Sequence, residues 1–151
     1  MSHPNLEIEH EIFMLFRRTF AIHIQTSSGE YELDRSTYGI LLLLDDEGPM
    51  RLGHIATAYR LDPSTITRQV QSAVSQGLVV KQPDPTDRRA TILSLTEAGS
   101  EMLAAVRDQR STLIGRITAG WTDKQRTEFL GALRRVNAAL AGLLDAASAS
   151  A

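Results

Sequence analysis

The stretch from Leu61 to Thr96 constrains this 151-residue chain most, because it reads as a short helix followed by a charged hairpin, with a local signal at every joint. Asp62 is a helix N-cap type, and Pro63 suits the first helical position, where its missing N–H would have had no partner. Leu61 and Ile66 have the spacing of a hydrophobic staple. A helix starting there puts Ile66, Val70, Ala73 and Val74 on one face and Ser64, Thr65, Arg68, Gln71, Ser72 and Ser75 on the other. Gly77 supplies a stop, Leu78 to Gln82 reads as a short strand, and Thr91 to Leu95 reads as a second one rich in β-formers. Between them Pro83 to Ala90 form a turn with Arg88 and Arg89 at its tip.

A helix whose outward face is polar and slender suits the major groove, where Ser, Thr, Gln and Arg can meet base edges and phosphates. The hairpin beside it would carry arginines toward a neighbouring minor groove or backbone. The charge distribution agrees with this better than the total does. The chain carries −2 overall, but Arg51 to Ala90 holds six basic residues against three acidic ones, a net +3, which leaves −5 for the rest. One basic end on an acidic body is the electrostatic footprint of a nucleic-acid binder.

These residues support a specific resemblance. Asp62-Pro63-Ser64-Thr65-Ile66-Thr67-Arg68, then Gly77-Leu78-Val79, Asp84-Pro85-Thr86-Asp87-Arg88-Arg89 and Leu95-Thr96-Glu97-Ala98-Gly99 look like the signature of the MarR family of homodimeric bacterial transcription regulators. The resemblance covers roughly Glu7 to Leu144 in element order and is strongest from Arg51 to Gly99. It implies a mainly α fold with a small β-wing: one domain over 1–151, with a winged helix-turn-helix at 34–96 and dimerisation helices at 7–27 and 97–145. It also implies a homodimer on a pseudo-palindromic double-stranded operator, most often a repressor relieved by a small aromatic or phenolic effector. The expected DNA-contacting set is Arg51, Ser64, Thr65, Thr67, Arg68, Gln69, Gln71, Ser72, Arg88 and Arg89. The alternative from another class is a winged-helix protein-interaction module without operator binding.

Three residues depart from the family pattern. Arg51 stands where Ser or Thr usually caps the supporting helix, and a positive charge there is unfavourable to the helix dipole, so Arg51 is read as facing phosphate rather than serving the fold. Gln71 replaces an acidic residue common midway along the recognition helix, which takes an ion-pair partner from Arg89. Ala73 stands where Leu is preferred.

Taken in order, Glu7 to about Gln25 reads as a helix, with Ile8, Ile12, Leu15, Thr19 and Ile22 on one face and Phe13, Phe16 and Phe20 broadening it. So wide an apolar face exceeds what one small domain can cover, so part of it is expected to meet another subunit. Ser27, Ser28 and Gly29 break the pattern. Asp34 or Ser36 can cap a second helix, and about Leu52 to Tyr59 forms a third. Thr96 caps a long helix to about Ala119, with Met102, Val106, Leu113, Ile114 and Ile117 as its stripe. Thr122 and Gln125 have capping-box spacing, and Phe129, Leu133, Val136, Leu140 and Leu143 recur as a packing seam. The Ala-Ser ending after Asp145 reads as disordered. Family members hold effectors between dimerisation helices and winged domain, and near that junction this chain offers Phe13, Phe16, Phe20 and Tyr38, with Arg17 and His23 as polar partners.

Other chemistry finds no footing. There is no cysteine, no Gly-rich phosphate loop and no serine in a nucleophile elbow, so no enzyme is expected. The four histidines are scattered, and His10 beside Glu7 and Glu11 reads as exposed helix charge, so neither metal nor cofactor is expected. The polar start and the short apolar run Ile40 to Leu44 argue against a membrane and for a cytoplasmic protein.

Overall fold

A computed structural model describes residues 3–26 and 33–149, the side chains of 20–26 and 148 excepted. The chain divides into two compact units, residues 1–108 and 109–151. The first holds α1 (Pro4–Thr26), α2 (Arg35–Glu47), β1 (Met50–Arg51), α3 (Leu52–Tyr59), α4 (Pro63–Ser75), β2 (Val79–Pro83), β3 (Thr91–Leu95) and the start of α5 (Glu97–Ile117). The second holds the end of α5 and α6 (Asp123–Ala149). The predicted break at Ser27, Ser28 and Gly29 lies outside the described residues.

In the first unit, α2 starts where Asp34 accepts hydrogen bonds from the Ser36 and Thr37 amides, so Asp34 rather than Ser36 is the cap. Helix α4 starts under Asp62 with Pro63 in its first turn, as its sequence dictates. Ile66, Val70 and Ala73 of α4 pack with Ile40 and Leu41 of α2, Ile55 of α3, Leu93 of β3 and Leu103 of α5 in one buried cluster. Each fully buried aliphatic side chain of Val, Leu or Ile size contributes about 1.5–3 kcal/mol. Ile66 and Val70 therefore fix α4 by its inner face and leave the outer one unused. The staple spacing does little here, since Leu61 is 41% exposed while Ile66 is fully covered.

The sheet has the order β1-β3-β2, antiparallel throughout, with Arg51 opposite Ile92 and Val79 opposite Leu95. The third strand, β1, is absent from the sequence reading because two residues show no alternation. Leu103, buried at the heart of α5, is likewise missing from the predicted stripe, which ran through Met102 and Val106.

The joint between α4 and α5 is built from backbone. The Gly77 amide donates to the Val74 carbonyl and the Leu78 amide to that of Ala73, a Schellman ending with Gly77 at φ +72°. The Leu78 carbonyl then accepts from the Thr96 amide at 3.1 Å, and the Thr96 hydroxyl donates to Gly77 O at 2.6 Å while capping the Gly99 amide. Helix α5 thus begins directly on the turn that ends α4. The turn between α3 and α4 has the same hydrogen-bond pattern, but Arg60 takes the left-handed position at φ 49°, at roughly 1–2 kcal/mol relative to glycine.

In the second unit, the Thr122 amide donates to Gln125 Oε1 and the Gln125 amide to Thr122 Oγ1, the predicted capping box. Trp121 meets Phe129 edge to face at 5.3 Å. Helix α6 runs to Ala149, so the ending expected to be disordered is helical as far as the described residues reach. Alanine, the strongest helix former, accounts for this without any packing.

A Cβ at Gly99 would stand 2.0 Å from the Leu78 carbonyl oxygen, so the two segments can approach only at glycine. Gly99→Ala is expected to cost about 1–3 kcal/mol. The reading is a lower urea midpoint at unchanged slope; an unchanged midpoint would contradict the close approach.

Candidate nucleic-acid interface

Helix α4 presents its polar side chains in two states. The Ser64 hydroxyl donates to the Asp62 carboxylate, which also accepts the Ser64 amide, and these bonds hold the Asp62 carboxyl below the usual carboxylate range. Thr67 Oγ1 donates back to Pro63 O at 2.7 Å, and Ser72 Oγ accepts from Gln76 Nε2 at 3.1 Å. Gln69 and Thr67 are half-buried. Thr65, Arg68 and Gln71 are exposed, and their side chains have no intrachain partner among the described residues. The outward donors and acceptors of α4 therefore come first from these three.

The wing hangs on an acid. Asp84 is 7% exposed; its Oδ1 accepts from the Thr86 amide and hydroxyl, and its Oδ2 from Arg51 Nε at 2.8 Å. Arg51 Nη2 lies 2.7 Å from the same oxygen and 3.9 Å from Asp87. The expectation that Arg51 does not serve the fold is thereby corrected, since two of its nitrogens grip the wing. Arg51 heads α3 without any side-chain cap bond. The sequence signal was the acidic pair Asp84 and Asp87 opposite an unexplained arginine, but 33 residues separate Arg51 from Asp84. At the tip, Arg88 and Arg89 are exposed, and neither guanidinium has an ion pair among the described residues. Arg89 thus lacks an acidic partner, as the Gln71 substitution implied.

A helix with a free polar outer face, followed by a three-stranded wing with two unpaired arginines, is the architecture of a winged helix-turn-helix DNA-binding unit. The model of the MarR family matches residues 31–90, from α2 to the wing turn. The HTH-type transcriptional regulator YxaD of Bacillus subtilis is 30% identical over 132 residues, which cover 87% of this chain and 92% of YxaD. The chain belongs to the MarR family. The transcriptional repressor NicR of Pseudomonas putida is 28% identical over 86% of this chain and 84% of its own length. Among solved structures, BpsR of Bordetella bronchiseptica, whose DNA binding is regulated by 6-hydroxynicotinic acid, superposes with a TM-score of 0.70 at 20% identity, covering 91% of this chain and 97% of that one. That likeness concerns the fold.

As a MarR-family member the chain is a DNA-binding transcription regulator with a winged helix, not an enzyme. No helix among the described residues is long and apolar enough to cross a membrane. Tyr38 packs against the core of the first unit, whereas Phe13, Phe16 and Arg17 are exposed on α1. The side chains of Phe20 and His23 lie outside the described residues.

Hydrogen bonds from the Thr86 side chain and backbone, with the Arg51 guanidinium next, lower the Asp84 carboxyl to about 2. A depressed folded-state value means that this group stabilises the fold above the ordinary carboxylate range and that the contribution is lost as pH falls from about 4 through about 2. Carbon-13 titration of the Asp84 carboxyl should show a midpoint near 2, raised in Thr86→Val. A midpoint in the ordinary range would contradict the geometry of the wing turn.

Proposed function

We propose that the chain acts as a homodimer that recognises a pseudo-palindromic operator in double-stranded DNA and represses transcription until a small aromatic or phenolic ligand releases it. The observation that carries this reading is the pairing of unengaged Thr65, Arg68 and Gln71 on α4 with unpaired Arg88 and Arg89 on the wing. Arginine in the major groove reads guanine by a bidentate contact, and Ser, Thr and Gln supplement it. Ser64, Thr67, Gln69 and Ser72 sit in the same helix and contribute through backbone phosphate contacts or as acceptors, since the hydroxyls of Ser64 and Thr67 already donate within the chain.

The exposed apolar faces support a second copy. Phe129, Leu133, Val136, Leu140 and Leu143 are 38–69% exposed along α6, and Ile8, Ile12, Phe13, Leu15 and Phe16 are exposed on α1. Contiguous apolar stripes of this extent mark interaction surfaces. A twofold dimer brings two α4 helices roughly 34–36 Å apart, one turn of the double helix, which makes the operator palindromic. The repressor reading draws on NicR, and the ligand reading on the control of BpsR by 6-hydroxynicotinic acid. A ligand releases DNA only by preferring the arrangement of winged units that cannot bind it.

The test is a titration of the DNA upstream of its own gene at several salt concentrations, repeated with 6-hydroxynicotinic acid as the first probe of release. The log of affinity should fall with log salt by roughly 0.9 per phosphate neutralised. Replacing Arg88 and Arg89 with Ala should weaken binding to all sequences and flatten that slope. Arg68→Ala should cost about 1–3 kcal/mol and relax discrimination at one base pair. Affinity without salt dependence would favour the protein-interaction module instead.

The dimer has its own measurement. Leu133→Asp with Leu140→Asp places charges in the α6 seam, where burial without partners is strongly unfavourable. Sedimentation should report a dimer for the wild type and a monomer for the variant; a folded wild-type monomer at micromolar concentration would end the dimer reading.

A further inference from the structure

We propose that Arg51 is a positioning residue for the wing: it holds the turn that presents Arg88 and Arg89 and makes no DNA contact of its own. The proposal rests on the reading that the wing meets DNA. Arg51 is itself fixed on two sides, by the pairing of β1 with β3 opposite Ile92 and by the start of α3 at Leu52. From that anchor its Nε and Nη2 both meet Asp84 Oδ2, while Oδ1 is taken by Thr86. The turn closes over this carboxylate, because the Asp84 amide donates to the Ala90 carbonyl and the Ala90 amide to that of Asp87. Asp87 Oδ1 in turn accepts the Arg89 amide at 3.1 Å, while the other oxygen of that carboxylate, Oδ2, lies 3.9 Å from Arg51 Nη2. One line of contacts therefore runs from the strand that opens α3 to the backbone of the arginine at the wing tip.

Electrostatics gives the arrangement a purpose. Two carboxylates beside two arginines on a DNA-facing hairpin would repel phosphate, and Asp84 stands with its side chain covered, where an unpaired charge is costly. Arg51 neutralises Asp84, and its Nε and Nη2 point into the turn. Its position at the head of α3 leaves that helix without a side-chain cap, which a wing clamp explains and a cap does not.

The experiment compares Arg51→Met, Arg51→Lys and Asp84→Asn, alone and in a background with Arg88 and Arg89 both changed to Ala. By charge alone, Asp84→Asn removes a negative group and strengthens DNA binding; as a clamp partner it weakens binding. Asparagine keeps the acceptor for Thr86, so the turn itself survives. The expected result is that Arg51→Met and Asp84→Asn each weaken binding roughly threefold to tenfold. Arg51→Lys should restore part of the loss, and neither change should matter further once the wing arginines are gone. Tighter binding by Asp84→Asn would overturn the proposal. So would an Arg51→Met loss of equal size in both backgrounds with a salt slope shallower by about 0.9, the signature of a lost phosphate contact. Two readouts need no DNA: in Arg51→Met the Asp84 carboxyl should titrate higher and the Arg89 amide should exchange faster. A wild type that fails to bind DNA would remove the wing-to-DNA reading, and these two readouts would still decide the clamp, unchanged values overturning it.

Discussion

The carbonyl of Leu78 is the contact on which the first unit depends. It accepts the Thr96 amide and lies against Gly99, so the strand leaving α4 and the helix following the wing meet backbone to backbone. The Leu78 amide is already used to close α4 on Ala73. The backbone of this one residue thus joins the end of α4, the start of β2 and the start of α5. A backbone joint of this kind leaves no side-chain freedom to absorb error, and glycine is the residue that lets the segments approach. The relative placement of α4 and the wing follows from it.

What remains for recognition is the part of the surface that the fold does not use. On α4, Ser64 and Thr67 have their hydroxyls committed to Asp62 and to the Pro63 carbonyl, and Ser72 receives Gln76. Thr65, Arg68 and Gln71 are left facing outward. On the wing, Asp84 is saturated by Thr86 and Arg51 while the arginines at the tip stay open. Capping and turn formation therefore sort the polar residues into those that set geometry and those available to a partner. Side chains of the same type, such as Thr65 and Thr67, fall on opposite sides of that division.

Local chemistry made much of this legible in the sequence. The limits of α3, the Asp62-Pro63 start of α4, the Gly77 stop, β3 and the Thr122–Gln125 box all follow from signals within a few residues of each other. The features that escaped have other origins. Strand β1 exists through pairing with β3 and has no pattern of its own. Leu103 was hidden because Met102 beside it also fits a helical stripe. The run of alanine and serine from Ala146 to Ala149 is helical by propensity rather than by burial. Arg51 was correctly identified as unsuited to a cap, but its partner lies in the wing, and no local rule points across that gap.

The central claim is that α4 and the wing together read one half of a twofold site. Hydroxyl-radical footprinting of the complex with the upstream DNA addresses it most directly, because it reports which grooves are covered and in what register. The account predicts two equivalent protected segments whose centres lie about 10 base pairs apart, each with flanking protection that disappears when Arg88 and Arg89 are both alanine. Uniform protection with no register, or a single segment unaffected by the wing substitution, would contradict it.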